Sequence, residues 1–397
     1  MYMAGYAQNV GEGRYRLRYK DHSKYVEAKN DKEAGKELAK FVTEVESGDF
    51  TKASKVTFRE FVKKWLKNYA EVTLAPKTLH RYNELLESRI LPSLGDKKLE
   101  KIKPLDLLEF YKSLRTKHKY TRLFKDGRRE QGEAEKLSEQ TIKHHHRLIY
   151  AIFEKAIKWG VYKGDNPAKH VDAPKIEKKK AKCYDMEQVA AMLKALEKEE
   201  LKYQASIMIA LTTGARMGEI MGLEWQDVEF ESKTIEIRQA SQYLSDKGTF
   251  IKDPKNETSK RKISANDSLL KLLKKYQEDQ QQKGFICQAN NRLFIRWDGT
   301  PDPPYSLAHW FPGFIKRHEL PDLNFHGLRH TSATFLISQG MDIQTIAGRL
   351  GHSTSVTTQN IYSHFLQSKD QQAADLMEKA FTSDKKTPKK KPKRDAK

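Results

Sequence analysis

Phe325-His326-Gly-Leu-Arg329-His330-Thr331 opens a helical pattern over His326–Ser338, and its i, i+3 spacing puts His326 and Arg329 on one helical face. Two more phrases in the same half of the chain carry polar groups of the same kind. One is Thr213-Gly-Ala-Arg216-Met-Gly-Glu219-Ile-Met-Gly-Leu-Glu-Trp225; the other runs from Leu350-Gly-His352-Ser to Thr357-Thr-Gln-Asn-Ile-Tyr362-Ser-His364. Taken singly, a buried arginine is more often half of a structural ion pair, a tyrosine a core aromatic and a helix histidine a satisfied polar group. Their joint occurrence in order, across roughly 150 residues, makes Arg216, His326, Arg329, His352 and Tyr362 a candidate site.

Working outward, several chemistries drop out. The chain has no Gly-x-Ser-x-Gly elbow, no Gly-x4-Gly-Lys-Ser/Thr phosphate loop and no His-Glu-x-x-His helix. His144-His145-His146 is not a metal motif, because consecutive helical positions fan around the axis and cannot converge on one ion. Cys183 and Cys287 are too few for a disulfide framework or a four-cysteine zinc site, and both are expected to be reduced. No cofactor or metal is therefore expected. No apolar run approaches the roughly 18 residues of a membrane span, and Met1–Gln8 has neither a basic leader nor an apolar core. The expected setting is a cytoplasm with no membrane contact.

The 397 residues suggest two or three domains. Lys and Arg number 74 against 53 Asp and Glu, a net charge of +21, of which the tail Asp384–Lys397 accounts for +6. A basic excess spread over folded segments suits a polyanion-binding surface, with nucleic acid the commonest partner; a lysine-rich solubility bias is the bland alternative.

The pattern predicts a multidomain α+β fold. Residues 1–48 read as a small β-sheet-plus-helix module. Alternation in Arg14-Tyr15-Arg16-Leu17-Arg18-Tyr19 puts Arg14, Arg16 and Arg18 on one face, either a DNA reader or a solvated sheet face, with Lys24–Ala28 returning as the next strand. Asn30 or Asp31 caps a helix carrying Ala34, Leu38, Phe41 or Val42, and Val45. Residues 57–166 read as a four-helix bundle. The helices begin at the Thr57/Glu60 capping box, at Pro76 (closing before Pro92), at Pro104 and at Ser138, with Thr116–Lys136 a loop or β-excursion. Pro167–Lys182, with two prolines and six lysines including Lys178, Lys179 and Lys180, reads as an extended basic linker. Residues 183–383 read as a mixed, mainly helical domain with a small antiparallel sheet. Its helices are Met186–Glu197, Tyr203–Leu211, Arg216–Leu223, His326–Ser338, Ile343–Leu350, Thr357–Ile361 and Asp370–Phe381; its strands are Thr234–Arg238, Thr249–Ile251, Arg261–Ile263 and Leu293–Ile295. Residues 384–397 read as a disordered basic tail.

The three phrases resemble the two arginine boxes and the tyrosine box of the tyrosine recombinase, or phage and conjugative-transposon integrase, family. Asp253-Pro-Lys255-Asn-Glu-Thr-Ser-Lys-Arg261 resembles the family's hairpin lysine phrase and singles out Lys255 among Lys247, Lys252, Lys260 and Lys262. The resemblance implies a site-specific DNA recombinase that integrates and excises a mobile element through a 3′-phosphotyrosine link at Tyr362. It implies that His326 assists proton removal from that tyrosine and that Lys255 protonates the departing 5′-oxygen. Guanidinium forks on Arg216 and Arg329 suit the non-bridging oxygens better than lysines would, and His352 completes the phosphate cradle by hydrogen bonding. The implied partners are double-stranded DNA at attachment sites, three further copies forming a homotetramer on DNA, and an accessory excision or DNA-bending factor. The resemblance narrows the expected setting to the bacterial cytoplasm, at the nucleoid. The resemblance further makes residues 1–48 an arm-type DNA-binding module, 57–166 a core-binding domain and 183–383 the catalytic domain. A terminal helix after Tyr362 would dock on its own domain or on a neighbouring protomer. A catalytically silent DNA-binding regulator of the same fold and a type IB-like topoisomerase are the alternatives.

Overall fold

The computed structural model describes residues 5–20, 22–46, 56–116, 118–123, 129–176, 181–252, 260–356, 358–359, 374–375, 377–378 and 380–381. The chain is a multidomain α+β protein that separates into two compact units, Met1–Lys178 and Lys179–Lys397. Among the described residues no helix is long and apolar enough to cross a membrane.

The first unit holds two hydrophobic cores. In the smaller, strands Tyr6–Gly11, Arg14–Tyr19 and His22–Glu27 form an antiparallel sheet in chain order, and helix Asp31–Glu46 packs on one face. Tyr15, Leu17 and Tyr19 point into that core, as their alternation with the arginines requires. The two phenols also reach the helix: Tyr15 donates to Asp31 Oδ1 and Tyr19 to Glu46 Oε1, both at 2.6 Å. Asn30 is the residue that caps it, its Oδ1 accepting from Glu33 N at 3.0 Å. Strand Tyr6–Gly11 is absent from the sequence reading. Its residues are mostly exposed, so no alternation marks it; backbone pairing with Arg14–Tyr19 makes it a strand.

The larger core draws on four helical segments. Residues 58–73 begin at Thr57, whose capping box with Glu60 is fully formed. Residues 76–94 run past Pro92, where the sequence predicted an end. Leu86–Ile90 forms a wide π-turn, and the proline falls just after it, at the start of the next α-helical turn, Leu91–Leu94. A ring without an N–H is tolerated there because a first-turn donor needs no intrahelical acceptor. Pro104–Leu114 and Glu139–Lys158 complete the set, the latter capped by Ser138. Between them His118–Leu123 pairs with Arg129–Ala134 as a hairpin. The first residues of the stretch read from composition as a linker are packed rather than extended. Ala168 and Val171 are buried in the bundle core, because the turn Pro167–His170 is capped by Asn166 and folds back onto it.

The second unit has helices Met186–Leu196, Leu201–Thr213, Asp267–Gln282, Tyr305–Arg317, Phe325–Ser338 and Ile343–Leu350 and a three-stranded antiparallel sheet; all but the last helix share one hydrophobic core with the sheet, and Ile343–Leu350 packs on Phe325–Ser338. The sheet is ordered Arg261–Ser264, Thr234–Ile237, Val228–Glu229, and Ala240–Leu244 pairs with Gly248–Lys252 as a separate hairpin. Leu293–Ile295 is not a strand. Leu293 N donates to Leu223 O, and Ile295 makes a single bridge to Pro301, because this apolar run plugs the core as a turn rather than joining a ladder. Helices Asp267–Gln282 and Tyr305–Arg317 escaped the sequence reading. The first is mostly polar and buries only a narrow stripe, and the second has Pro312 inside it. Thr357–Ile361 and Asp370–Phe381 lie largely outside the described residues, and Asp384–Lys397 lies wholly outside them.

Candidate active site

Three helix ends build the site. Helix Leu201–Thr213 stops at Gly214, whose φ of 64° is left-handed, and a Cβ there would lie 2.5 Å from Leu350 Cδ2. Glycine meets both demands, and the sharp turn delivers Arg216 to the start of the short helix Met217–Ile220. Helix Phe325–Ser338 opens at Asn324, which caps Gly327 N, so His326 and Arg329 project from its first turns. Helix Ile343–Leu350 ends at the left-handed Gly351, and His352 follows.

Arg329 is 2% exposed. Its Nη1 donates to Gly214 O at 2.7 Å and to Leu350 O at 2.8 Å, which ties two of the three helix ends to the third. Its Nη2 lies 2.7 Å from His352 Nε2. A guanidinium only donates, so Nε2 is the acceptor, and the ring proton sits on Nδ1, which donates to Thr358 Oγ1 at 2.8 Å. Burial, then Arg329, Arg216, Arg261 and His326, push His352 down to about 4, in keeping with a neutral ring.

Arg216 keeps 41% of its side chain exposed. Its Nη1 donates to Glu219 Oε1 at 2.7 Å, its backbone N to Glu219 Oε2 at 3.0 Å and its Nη2 to Gly351 O at 3.4 Å. Burial raises the Glu219 pKa, but Arg261 and Arg216 together overcome that and hold the carboxyl below its ordinary range. His326 is exposed and meets His330 edge-to-face, with ring centroids 4.9 Å apart. Desolvation, Arg329 and Arg216 lower its pKa, while Glu219 opposes them. Arg216, His326, Arg329 and His352 thus gather in one electrostatic neighbourhood. Lys255 and Tyr362 lie outside the described residues.

The other sequence candidates fall elsewhere. Arg14 and Arg18 are exposed on the outer face of the small sheet and Arg16 is half-buried there. Arg18 Nη1 donates to Tyr6 OH at 3.3 Å, and Arg16 Cζ sits 5.8 Å from the centre of the Tyr25 ring. Lys178, Lys179 and Lys180 lie outside the described residues. His144, His145 and His146 take three different partners: the Gln140 side chain, Thr141 O and Tyr111 OH. Among the described residues no cluster of three His, Cys, Asp or Glu could hold a metal ion. Asp227 is buried and pairs with Arg238. Arg261 is a charged neighbour of these groups that sequence reading did not single out. It closes the hairpin phrase, but its carboxylate partner Glu219 lies 42 residues away, beyond any local pattern.

Residues 182–369 match the model of the phage integrase family, and residues 57–115 match that of the phage integrase N-terminal SAM-like domain. The chain is 27% identical over 246 residues to an ICEBs1 integrase of Bacillus subtilis, covering 61% of this chain and 66% of that protein. It is 24% identical over 378 residues to a XerC-like tyrosine recombinase of Caldanaerobacter subterraneus, covering 90% and 91%. In fold it is similar to a Tn1549 transposon integrase solved with circular intermediate DNA, at a TM-score of 0.65 and 23% identity, over 82% of this chain and all of that one. A lambda integrase dimer bound to a core site is a further fold relative, at a TM-score of 0.55 and 18% identity, over 90% and 94%. With both of its integrase regions matched and its two arginine boxes folded onto one another, the chain belongs to the tyrosine recombinase family.

Proposed function

We propose that this chain is a site-specific DNA recombinase that integrates and excises a mobile element by cutting and rejoining DNA strands without a metal. The observation that carries the reading is the convergence of Arg216, His326, Arg329 and His352 at three helix ends. A phosphodiester lodged there meets guanidinium donors fixed in advance by the Glu219 carboxylate and by the carbonyls of Gly214 and Leu350. Such preorganisation is the main source of rate where charge builds at phosphorus.

In this reading the Tyr362 oxygen gives up its proton with help from His326 and attacks phosphorus. The bond to the 5′-oxygen breaks, Lys255 supplies that oxygen's proton, and a 3′-phosphotyrosyl link forms. A 5′-hydroxyl reverses the step by attacking the link and expelling the tyrosine, so bond energy is conserved and no nucleotide is consumed. The half-buried, neutral His352 serves the cradle through Arg329: its Nε2 accepts from that guanidinium and its Nδ1–H is taken by Thr358, so it orients the fork and leaves the phosphate to the arginines. Four copies hold two duplexes and exchange strands in pairs, with an accessory factor setting the direction. The arginine face of the small sheet grips separate arm sites, the bundle grips the crossover site, and the work is done on chromosomal DNA.

The test is incubation with a nicked recombination site taken from the ends of the element. The wild-type chain should form a covalent adduct that survives denaturation. Tyr362→Phe should abolish the adduct and leave DNA affinity unchanged. An adduct of equal yield from that variant refutes the assignment of Tyr362, and no adduct from the wild type refutes the recombinase reading.

A further inference from the structure

Arg261, the first residue of strand Arg261–Ser264, has a side chain only 7% exposed. Its Nε donates to Arg349 O at 2.8 Å and its Nη2 to Glu219 Oε2 at 2.8 Å. The other oxygen of Glu219 takes Arg216 Nη1 at 2.7 Å. One buried carboxylate therefore stands between two guanidiniums, one sealed in the fold and the other open to solvent.

The charge count of this trio has a consequence for the open arginine. A carboxylate in contact with Arg216 fixes its pose but also cancels its charge locally, and the cancellation is strong where water is scarce. An isolated Arg216–Glu219 pair would present an approaching phosphate with a nearly neutral dipole. With Arg261 on the far oxygen the trio carries +1. The same guanidinium also shapes the turn that delivers His352. Gly351 is left-handed, with φ of 70°, and a Cβ there would lie 2.7 Å from Arg261 Nη1. Arg349 answers in the opposite direction, its Nη2 donating to Ser264 O at 3.1 Å and Thr212 O at 2.7 Å, so strand and helix end are laced together.

We propose that Arg261 is a positioning residue that supplies the counter-charge to Glu219, leaving the Arg216 guanidinium positive for the phosphate and holding the Leu350–His352 turn against it. The effect on rate rests on the recombinase reading above; the charge relation does not.

The experiment measures single-turnover adduct formation and DNA affinity for Arg261→Met, Arg261→Lys and the double variant Glu219→Gln/Arg261→Met, with thermal melts to identify folded protein. Arg261→Met should lower the rate on the order of 10²-fold, the size expected when one preorganised donor is disabled. Affinity should change by less than about threefold, since binding is spread over many phosphates. Arg261→Lys keeps the charge and should stay within about tenfold of wild type. The double variant removes both buried charges and should recover at least about tenfold over Arg261→Met, which a purely structural role would not produce. A wild-type rate in Arg261→Met, a folded Arg261→Lys as slow as Arg261→Met, or no recovery in the double variant overturns the proposal. If the wild-type chain forms no adduct, the recombinase reading falls while the charge relation is still judged by the His352 imidazole. That ring faces Arg329, Arg216, Arg261 and His326, and its pKa of about 4 should rise in Arg261→Met; an unchanged value refutes the charge role.

Discussion

Arg329→Lys separates the two tasks that one buried guanidinium performs. Arg329 donates to Gly214 O, Leu350 O and His352 Nε2, at 2.7, 2.8 and 2.7 Å. A lysine keeps the charge but gathers its donors on a single nitrogen, which cannot span two carbonyls and an imidazole at once. At least one acceptor is left without its partner. A hydrogen bond to a charged group contributes about 1.5–3 kcal/mol, so the second unit should lose at least about that much stability. Chemistry should suffer separately, because the fork that would hold a phosphate oxygen is gone. By analogy with deletion of one oxyanion-hole donor, adduct formation should slow by roughly 10²–10³. The assay pairs urea melts with single-turnover trapping on nicked DNA, at a temperature where the variant is fully folded. If the folded variant cleaves within about threefold of wild type while its melt shifts as expected, Arg329 is a structural strut and the phosphate cradle described above is wrong.

Gly214→Ala should destabilise the second unit by about 1–2 kcal/mol from its left-handed backbone alone, with more from the 2.5 Å approach to Leu350 Cδ2; a urea midpoint matching wild type would show that the turn relaxes freely. Acid should weaken the same unit between about pH 6.5 and 4. The folded His352 and His330 pKa values, both about 4, lie below the unfolded value near 6.5, so the unfolded chain binds more protons throughout that window and stability rises with pH. His352→Asn should flatten that slope, and an unaltered pH–stability curve would refute the depressed pKa.

Much of this chain is legible before it folds because its signals are local. The Thr57/Glu60 capping box, the Ser138 and Asn30 caps and the alternation of Arg14–Tyr19 each act within one or two turns or along one strand. The spacing of His326 and Arg329 is likewise a property of a single helix. Strand Tyr6–Gly11 and helix Tyr305–Arg317 were hidden, since one is made by pairing and the other holds a proline inside a helix that packing sustains. What folding alone could decide is which groups face each other across the chain. Arg329 meets Gly214 O over 115 residues, and Arg261 meets Glu219 over 42. Such contacts leave no periodic trace, because they depend on where three helix ends and one strand are brought by the burial of the core between them.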